Sequence, residues 1–235
     1  MESPDLVLSF DTSLQGLSCG LYRYSDELSY KIVSSAARSQ TQNIIPSIQR
    51  LLGYIGSGFN DIDLVATTTG PGAFTGLRIG LSVAKGLRLT LNTKVVGIST
   101  PQILARQFLI HQTGLQKQTR IIVVLETKRR DFYVQKFDNK GQAVSQAECL
   151  AGHQIINVLK SEDLICGDGS KRLKRECPEL ADQVLSGFDL IDPDIHAMIG
   201  LENYASKDFE DLSPLYLRGA DVSKPKRPAR RLSAS

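Results

Sequence analysis

The residues whose types and spacing first suggest chemistry are Thr69-Gly70-Pro71-Gly72-Ala73-Phe74-Thr75-Gly76-Leu77-Arg78-Ile79-Gly80. They follow the apolar run Leu64-Val65-Ala66-Thr67-Thr68, which reads as a buried strand, and lead into a helical segment ending near Leu91. A glycine-rich turn between a strand and a helix leaves N–H groups unpaired at the positive end of the helix dipole. Gly70 and Gly72 also let the backbone come close to a ligand, so the turn can cradle a phosphate or carboxylate. The spacing is not that of a P-loop, which closes on Gly-Lys-Ser/Thr, nor is it Gly-x-Gly-x-x-Gly after a first strand. A purely structural tight turn stands beside the anion site as the second reading.

Carboxylates at strand ends are the next candidates. Asp11 closes the run Leu6-Val7-Leu8-Ser9-Phe10, and Glu126 closes Ile121-Ile122-Val123-Val124-Leu125. Asp63-Leu64-Val65 followed by Gly70-Pro71-Gly72 is echoed by Asp163-Leu164-Ile165-Cys166 followed by Gly167-Asp168-Gly169. Two acids and two glycine turns of this kind could face one cleft. The competing reading of Asp11 is a turn in which it bonds the adjacent Thr12-Ser13 backbone. Metal and nucleophile chemistry is poorly supported. His111, His153 and His196 are widely spaced and read as surface or capping residues, no metal site is expected, and no serine lies in Gly-x-Ser-x-Gly. Cys19, Cys149, Cys166 and Cys177 form no Cys-x-x-Cys pair and read as reduced thiols, Cys19 and Cys166 as small core residues.

The elements that must position these groups follow from the periodicities. Leu17 to Tyr24 and Leu28 to Val33 alternate as two further strands after the first. From Thr41 to Ile55 the period becomes helical: Ile44, Ile48, Leu51 and Ile55 share a stripe, with Ile45 and Leu52 beside it. The helix launched by the glycine turn carries Leu77, Leu81, Ala84, Leu87 and Leu91, and its small residues Gly76, Gly80 and Ala84 recur every four positions, a spacing that lets another backbone lie close. Val95 to Ile98 is a strand, and Ser99 or Thr100 caps a helix with Pro101 in its first turn, running to about Ile110. The second half restarts the order, with strands at Ile121–Leu125, Phe132–Phe137 and Ala143–Leu150 and a short helix around Ile155. Ser170 to Leu185 reads as helical at both ends around Pro178, Asp192-Pro193 opens a helix to about Lys207, and Pro214 to Arg218 is extended.

The repeated order predicts an α/β protein of two tandem β-β-β-α-β-α units, the plan of actin-like and RNase H-like folds, with the second unit smaller and degenerate. In such folds the halves clamp ATP, which makes Asp11, Gly70, Gly72, Gly167 and Gly169 the candidate nucleotide-cleft residues. The expected divisions are residues 1–112, residues 113–220 and a disordered basic tail at residues 221–235. The chain has 235 residues, 41% hydrophobic and 23% charged, and no apolar run near the roughly 20 residues of a membrane span. Its N-terminus lacks a basic signal region, so a cytoplasmic protein without a membrane partner is expected. The formal charge of +3 includes Lys224, Lys226, Arg227, Arg230 and Arg231; removing those five leaves −2, so the body is mildly acidic. The two apolar helices either pack wholly on the sheet or also present a second apolar side to a partner, as in a four-helix bundle.

The sequence resembles the bacterial TsaB (YeaZ) family, relatives of TsaD in the actin-like superfamily. The resemblance rests on Phe10-Asp11-Thr12-Ser13, on Arg38-Ser39-Gln40-Thr41-Gln42 with Ile45-Pro46, on the whole Gly70 to Gly80 stretch, on Val96-Gly97-Ile98-Ser99, and on Pro214-Leu215-Tyr216-Leu217-Arg218. It implies a scaffold without catalytic residues in the synthesis of N6-threonylcarbamoyladenosine beside the tRNA anticodon. Such a scaffold binds and activates TsaD through its first two helices, here through Ile44, Ile45, Ile48, Leu52, Leu77, Gly80, Leu81 and Ala84. It also implies TsaE as a further partner, tRNA contacted indirectly, a homodimer as the alternative state of the isolated chain, and no cofactor of its own, ATP and Mg belonging to the wider complex. The chain departs from the family at Gln40, commonly His, and at Glu126-Thr127-Lys128, commonly Asp-Ala-Arg; it also has no tryptophan. The glycoprotease-like label carried by some relatives gains nothing from the histidine spacing. An autonomous ATPase or kinase is the alternative activity, and a basic tail that attracts tRNA phosphates a third reading.

Overall fold

In the computed structural model, which describes residues 3–35, 40–91, 93–112, 114–207 and 212–217, the first sheet is built around Leu6–Asp11 (β1), buried along its whole length. A run as apolar as Leu-Val-Leu-Ser-Phe suits a strand covered on both faces. Leu17–Arg23 (β2) and Leu28–Ser34 (β3) complete an antiparallel meander with it, while Leu64–Gly70 (β4) and Lys94–Ser99 (β5) add in parallel, giving the order β3-β2-β1-β4-β5. Gln40–Tyr54 (α1) and Phe74–Leu91 (α2) cover one face of this sheet.

The second sheet repeats the plan with fewer strands. Ile121–Glu126 (β6), Asp131–Phe137 (β7), Glu148–Ala151 (β8) and Leu164–Cys166 (β9) run in the order β8-β7-β6-β9, with β9 parallel to β6. Gly152–Val158 (α4) and Ser170–Glu176 (α5) belong to this half. Two helices join the units. Thr100–His111 (α3) touches β4 and β5 on one side and β6 and β9 on the other, and Pro193–Ser206 (α6) returns from the end of the chain to cover the second face of the first sheet. One apolar core therefore runs from Val7, Ala66 and Ile98 through Ile103 and Phe108 of α3 to Ile121, Val123 and Cys166, with Ile195 and Ile199 of α6 closing it.

Three sequence expectations need correction. The strand expected over Ala143–Leu150 is shortened to β8, because the Ser145 hydroxyl accepts the Lys136 N–H (3.1 Å) that a continuing ladder would use; Ala143 keeps only an isolated bridge to Phe137. The second helical end expected before Leu185 is instead a 3-10 turn at Pro178–Leu180 followed by extended chain. The open edge of β9 captures it: Ile165 N–H donates to Gln183 (2.8 Å), and Leu185 N–H donates to Ile165 (2.9 Å). His196 is not at the surface. It lies fully buried on the inward side of α6, and burial holds its imidazole down near a pKa of about 3, hence neutral. His111 and His153 are exposed, as expected. No helix among the described residues is long and apolar enough to cross a membrane. The proposed tail at residues 221–235 lies outside the described residues, as does the side chain of Gln40.

Candidate functional site: an inter-unit cleft and an outward helix face

Asp11 leaves the end of β1 with its side chain turned inward, 1% exposed. Its Oδ1 accepts from Ser13 N (2.8 Å), Ser13 Oγ (2.5 Å) and Thr68 Oγ1 (2.7 Å), and its Oδ2 accepts from Leu14 N (3.4 Å). Ser13 Oγ lies 3.0 Å from Thr100 Oγ1, which extends the knot to the start of α3. Burial raises the Asp11 carboxyl above the ordinary carboxylate range, against the pull of these hydrogen bonds.

The glycine turn is sewn into the same knot. Gly70 has φ +101°, a left-handed backbone that favours glycine, and precedes a cis bond to Pro71. At Gly72 an added Cβ would stand 2.6 Å from Ser13 O, and the Ala73 N–H donates to that same carbonyl (2.7 Å). Thr12 Oγ1 donates to Gly76 O (2.7 Å), pinning the first turn of α2 to the end of β1. From the far end of the chain Leu215 N–H donates to Thr69 O (2.8 Å), while Tyr216 Oη accepts from Arg78 Nε (2.9 Å) and Arg78 stacks over Phe74 at 3.8 Å.

In the second unit Gly167 (φ +106°) and Gly169 press against β6; an added Cβ would meet Val124 O at 2.4 Å and Leu125 C at 2.9 Å respectively. Between them Asp168 accepts the Glu126 N–H at 2.9 Å. Burial is the main cause that pushes the Asp168 carboxyl up to about 7; the Glu126 N–H bond opposes it, and the charges of Glu126, Asp11 and Asp189 add repulsion. Asp11 and Asp168 thus sense one another across the gap between the units, a pairing that strand-end spacing alone does not reveal. Its only sequence sign is an acid held between two glycines.

A raised carboxyl pKa works against stability as pH rises. Above its unfolded pKa and up to about 7 the folded protein holds a proton that the unfolded chain has released, so stability falls through that window. Between pH 5.5 and 7 the loss amounts to roughly 2 kcal/mol at 1.36 kcal/mol per unit. Asp168→Asn keeps the acceptor oxygen for Glu126 N–H, so urea unfolding should show a variant more stable than the parent at pH 7.5, with a flatter pH profile.

Glu126 does not present its carboxylate to Asp11. Its Oε2 takes Arg172 Nε (2.8 Å) and its Oε1 takes Lys128 N–H (2.6 Å). Arg172 is the hub of this corner: it also donates to Arg129 O (2.8 Å) and Asp131 O (2.6 Å) and stacks over Phe132 at 3.7 Å. Arg172→Ala leaves Glu126 and two carbonyls without their donor, and an unfolding loss of about 2–3 kcal/mol is expected. Lysine should restore little of it, having one point charge where the fork serves four acceptors, Glu176 included.

These donors suit a magnesium-bound nucleotide poorly, since all four Asp11 contacts are internal, Gly72 is closed against Ser13, and Glu126 is tied to Arg172. Among the described residues no group of three or more His, Cys, Asp or Glu side chains is placed to hold a metal ion.

The two apolar helices also differ from expectation. Of the eight residues expected to meet a partner, Ile44, Ile48, Leu52, Leu77, Leu81 and Ala84 are buried inside the chain, and Gly80 is buried against β1, where an added Cβ would stand 2.7 Å from Thr12 Oγ1. Only Ile45 is exposed. The stripes read from periodicity are the inward ones, because the sheet beneath has an apolar face of its own to cover. The outward stripe is different: Ile45, Pro46, Gln49, Gly53 and Tyr54 on α1, and Thr75, Ile79, Ser82, Gly86 and Leu89 on α2. Leu89 is 86% exposed, and an added Cβ at Gly53 or Gly86 would meet nothing within 4 Å among the described residues. The sign of this face in the sequence is a glycine in a helix interior out of step with Gly76, Gly80 and Ala84.

A family model described as TsaD, tRNA N6-adenosine threonylcarbamoyltransferase, matches residues 32–213. The chain is 29% identical over 181 residues to the tRNA threonylcarbamoyladenosine biosynthesis protein TsaB of Buchnera aphidicola (subsp. Schizaphis graminum), covering 73% of this chain and 82% of that protein. It is 29% identical over 240 residues to the protein of the same name from Haemophilus influenzae, covering 95% and 98%. Among solved structures, YeaZ from Pseudomonas aeruginosa superposes with a TM-score of 0.73 at 21% identity, covering 89% of this chain and 100% of that one. That likeness establishes a shared two-sheet fold.

Proposed function

The chain belongs to the TsaD family, in its TsaB (YeaZ) branch, and from that premise we propose that it is a scaffold subunit which docks onto TsaD through the outward face of α1 and α2. Its role lies in tRNA threonylcarbamoyladenosine biosynthesis. TsaD carries out the transfer to the adenosine beside the anticodon, and this chain binds and activates it without catalytic residues or a cofactor of its own. ATP and Mg act elsewhere in the complex, with TsaE as a further member. The same outward face serves a homodimer when TsaD is absent.

The observation that carries the reading is Gly86. Glycine in an exposed helix interior costs about 1 kcal/mol relative to alanine, and nothing among the described residues comes near enough to require it. With Ser82 and Thr75 on the same side, it leaves a shallow channel in which a partner helix can lie backbone to backbone, flanked by Ile79 and Leu89. Support for a non-catalytic role comes from Asp11, whose hydrogen bonds are spent on its own turn and on Thr68 of β4. Co-expression with TsaD tests the proposal: both chains should leave a sizing column in one peak, and separate elution at micromolar concentrations would overturn it.

A further inference from the structure

The turn between β6 and β7 carries Lys128, Arg129 and Arg130 in succession, all exposed, on a body whose charge without the five tail cations is −2. Local chemistry makes this turn stiff. Lys128 sits at φ +58°, held there by the Glu126 carboxylate on its N–H, and Thr127 Oγ1 both accepts from Arg129 N (3.1 Å) and donates to Asp131 O (2.5 Å). A non-glycine residue in that region is strained, so its surroundings are overdetermined.

The carboxylates nearest the turn are already engaged. Arg172 takes Glu126 and Glu176, and Asp131 is wrapped by Thr127. Arg172 also ties α5 directly behind the turn through Arg129 O and Asp131 O, and the exposed Arg175, three residues on, shares that side of the helix. Among the described residues Lys128, Arg130 and Arg175 have no carboxylate partner. Beside them Arg129, Arg130 and Asp131 line one wall of a recess of about 370 Å³, closed by Cys149, Ala151 and Gln154.

We propose that this corner is a docking site for the phosphate backbone of tRNA, formed by Lys128, Arg129 and Arg130 with Arg175, the recess admitting a phosphate and its sugar. The proposal rests on the reading of the chain as a tRNA-modification subunit and gives it a direct contact with the substrate, distinct from the helix face that meets TsaD. Lys128 and Arg130 on a pre-stiffened turn attract phosphate without the cost of ordering a loop, and they read charge rather than base sequence.

The test is fluorescence anisotropy with unmodified tRNA transcript at 50, 100 and 200 mM KCl, using the full chain alone and in complex with TsaD. Lys128→Glu with Arg130→Glu should weaken binding about tenfold or more at 50 mM. It should also flatten the slope of log affinity against log salt by about 1.5, because each lost phosphate contact removes 0.7 to 0.9. Arg130→Lys should bind as the parent does, since a phosphate contact here needs charge and not the guanidinium fork. Unchanged affinity and slope in the double variant overturns the proposal, as does loss of binding in Arg130→Lys equal to that in the charge reversal. Elution of the double variant with TsaD separates the two readings: failure of the parent chain to co-elute counts against TsaD docking, while the measurement on the chain alone still decides this one.

Discussion

Gly80→Arg should fail to fold at 37 °C, and Gly80→Ala should already lose about 1–3 kcal/mol. At Gly80 α2 lies so close to β1 that the first side-chain carbon would stand 2.7 Å from Thr12 Oγ1, with Phe10 and Thr67 within 4 Å. Thr12 cannot swing away freely, because its hydroxyl holds Gly76 O. Even alanine must therefore lift the helix or break that bond, and an arginine would have to drive its whole stem between helix and sheet. Overpacking of that size, with a charge stranded among Phe10, Leu81 and Ala84, exceeds about 4–5 kcal/mol, a large part of the 5–15 kcal/mol by which domains are stable. Loss of a TsaD complex in this variant would report on folding and say nothing about docking. Soluble yield and urea unfolding of both variants check it.

Gly86→Arg should behave in the opposite way, six residues along the same helix. The outward side of α2 has open space there, and replacing glycine in a helix interior removes a backbone-entropy penalty. The variant should be as stable as the parent or more so, by about 0.5–1 kcal/mol, a rise of a few degrees in Tm for a chain of this length. A bulky charge in the channel formed with Thr75 and Ser82 nevertheless prevents close approach of a partner helix. Affinity for TsaD should fall at least about a hundredfold, some 3 kcal/mol. Gly86→Ala should gain the stability and lose little of the binding. A rise in stability coupled to a loss of association is hard to produce by any route other than a surface built for a partner.

Why the sequence reveals one face of α2 and hides the other is a matter of what periodicity reports. The stripe Leu77, Leu81, Ala84 and the spacing Gly76, Gly80, Ala84 identify a side that must be covered, but not the neighbour that covers it. The neighbour is the sheet, whose Leu8, Phe10 and Val65 also needed cover. The strand run Leu6 to Phe10, the glycine turn after β4 and the helix start at Asp192-Pro193 were legible because each is decided within a few residues; Asp192 indeed caps α6, accepting from Asp194 N at 2.9 Å. Features set by distant chain were not legible. Val184 is extended because the edge of β9 was open, His196 is buried because α6 crosses back over the first sheet, and the Asp168 carboxyl is raised because the folded chain shields it from water. The outward glycine was visible all along, yet it becomes informative only once the described residues around it are seen to leave it open.

The central claim is that the outward face of α1 and α2 docks TsaD, and the most direct measurement is a calorimetric titration of TsaD with the parent chain and with Gly86→Arg. Thermal unfolding of each is run alongside. Submicromolar binding by the parent is expected, with at least hundredfold weaker binding by a variant whose Tm is unchanged or higher. Equal affinity of the two chains for TsaD would contradict it.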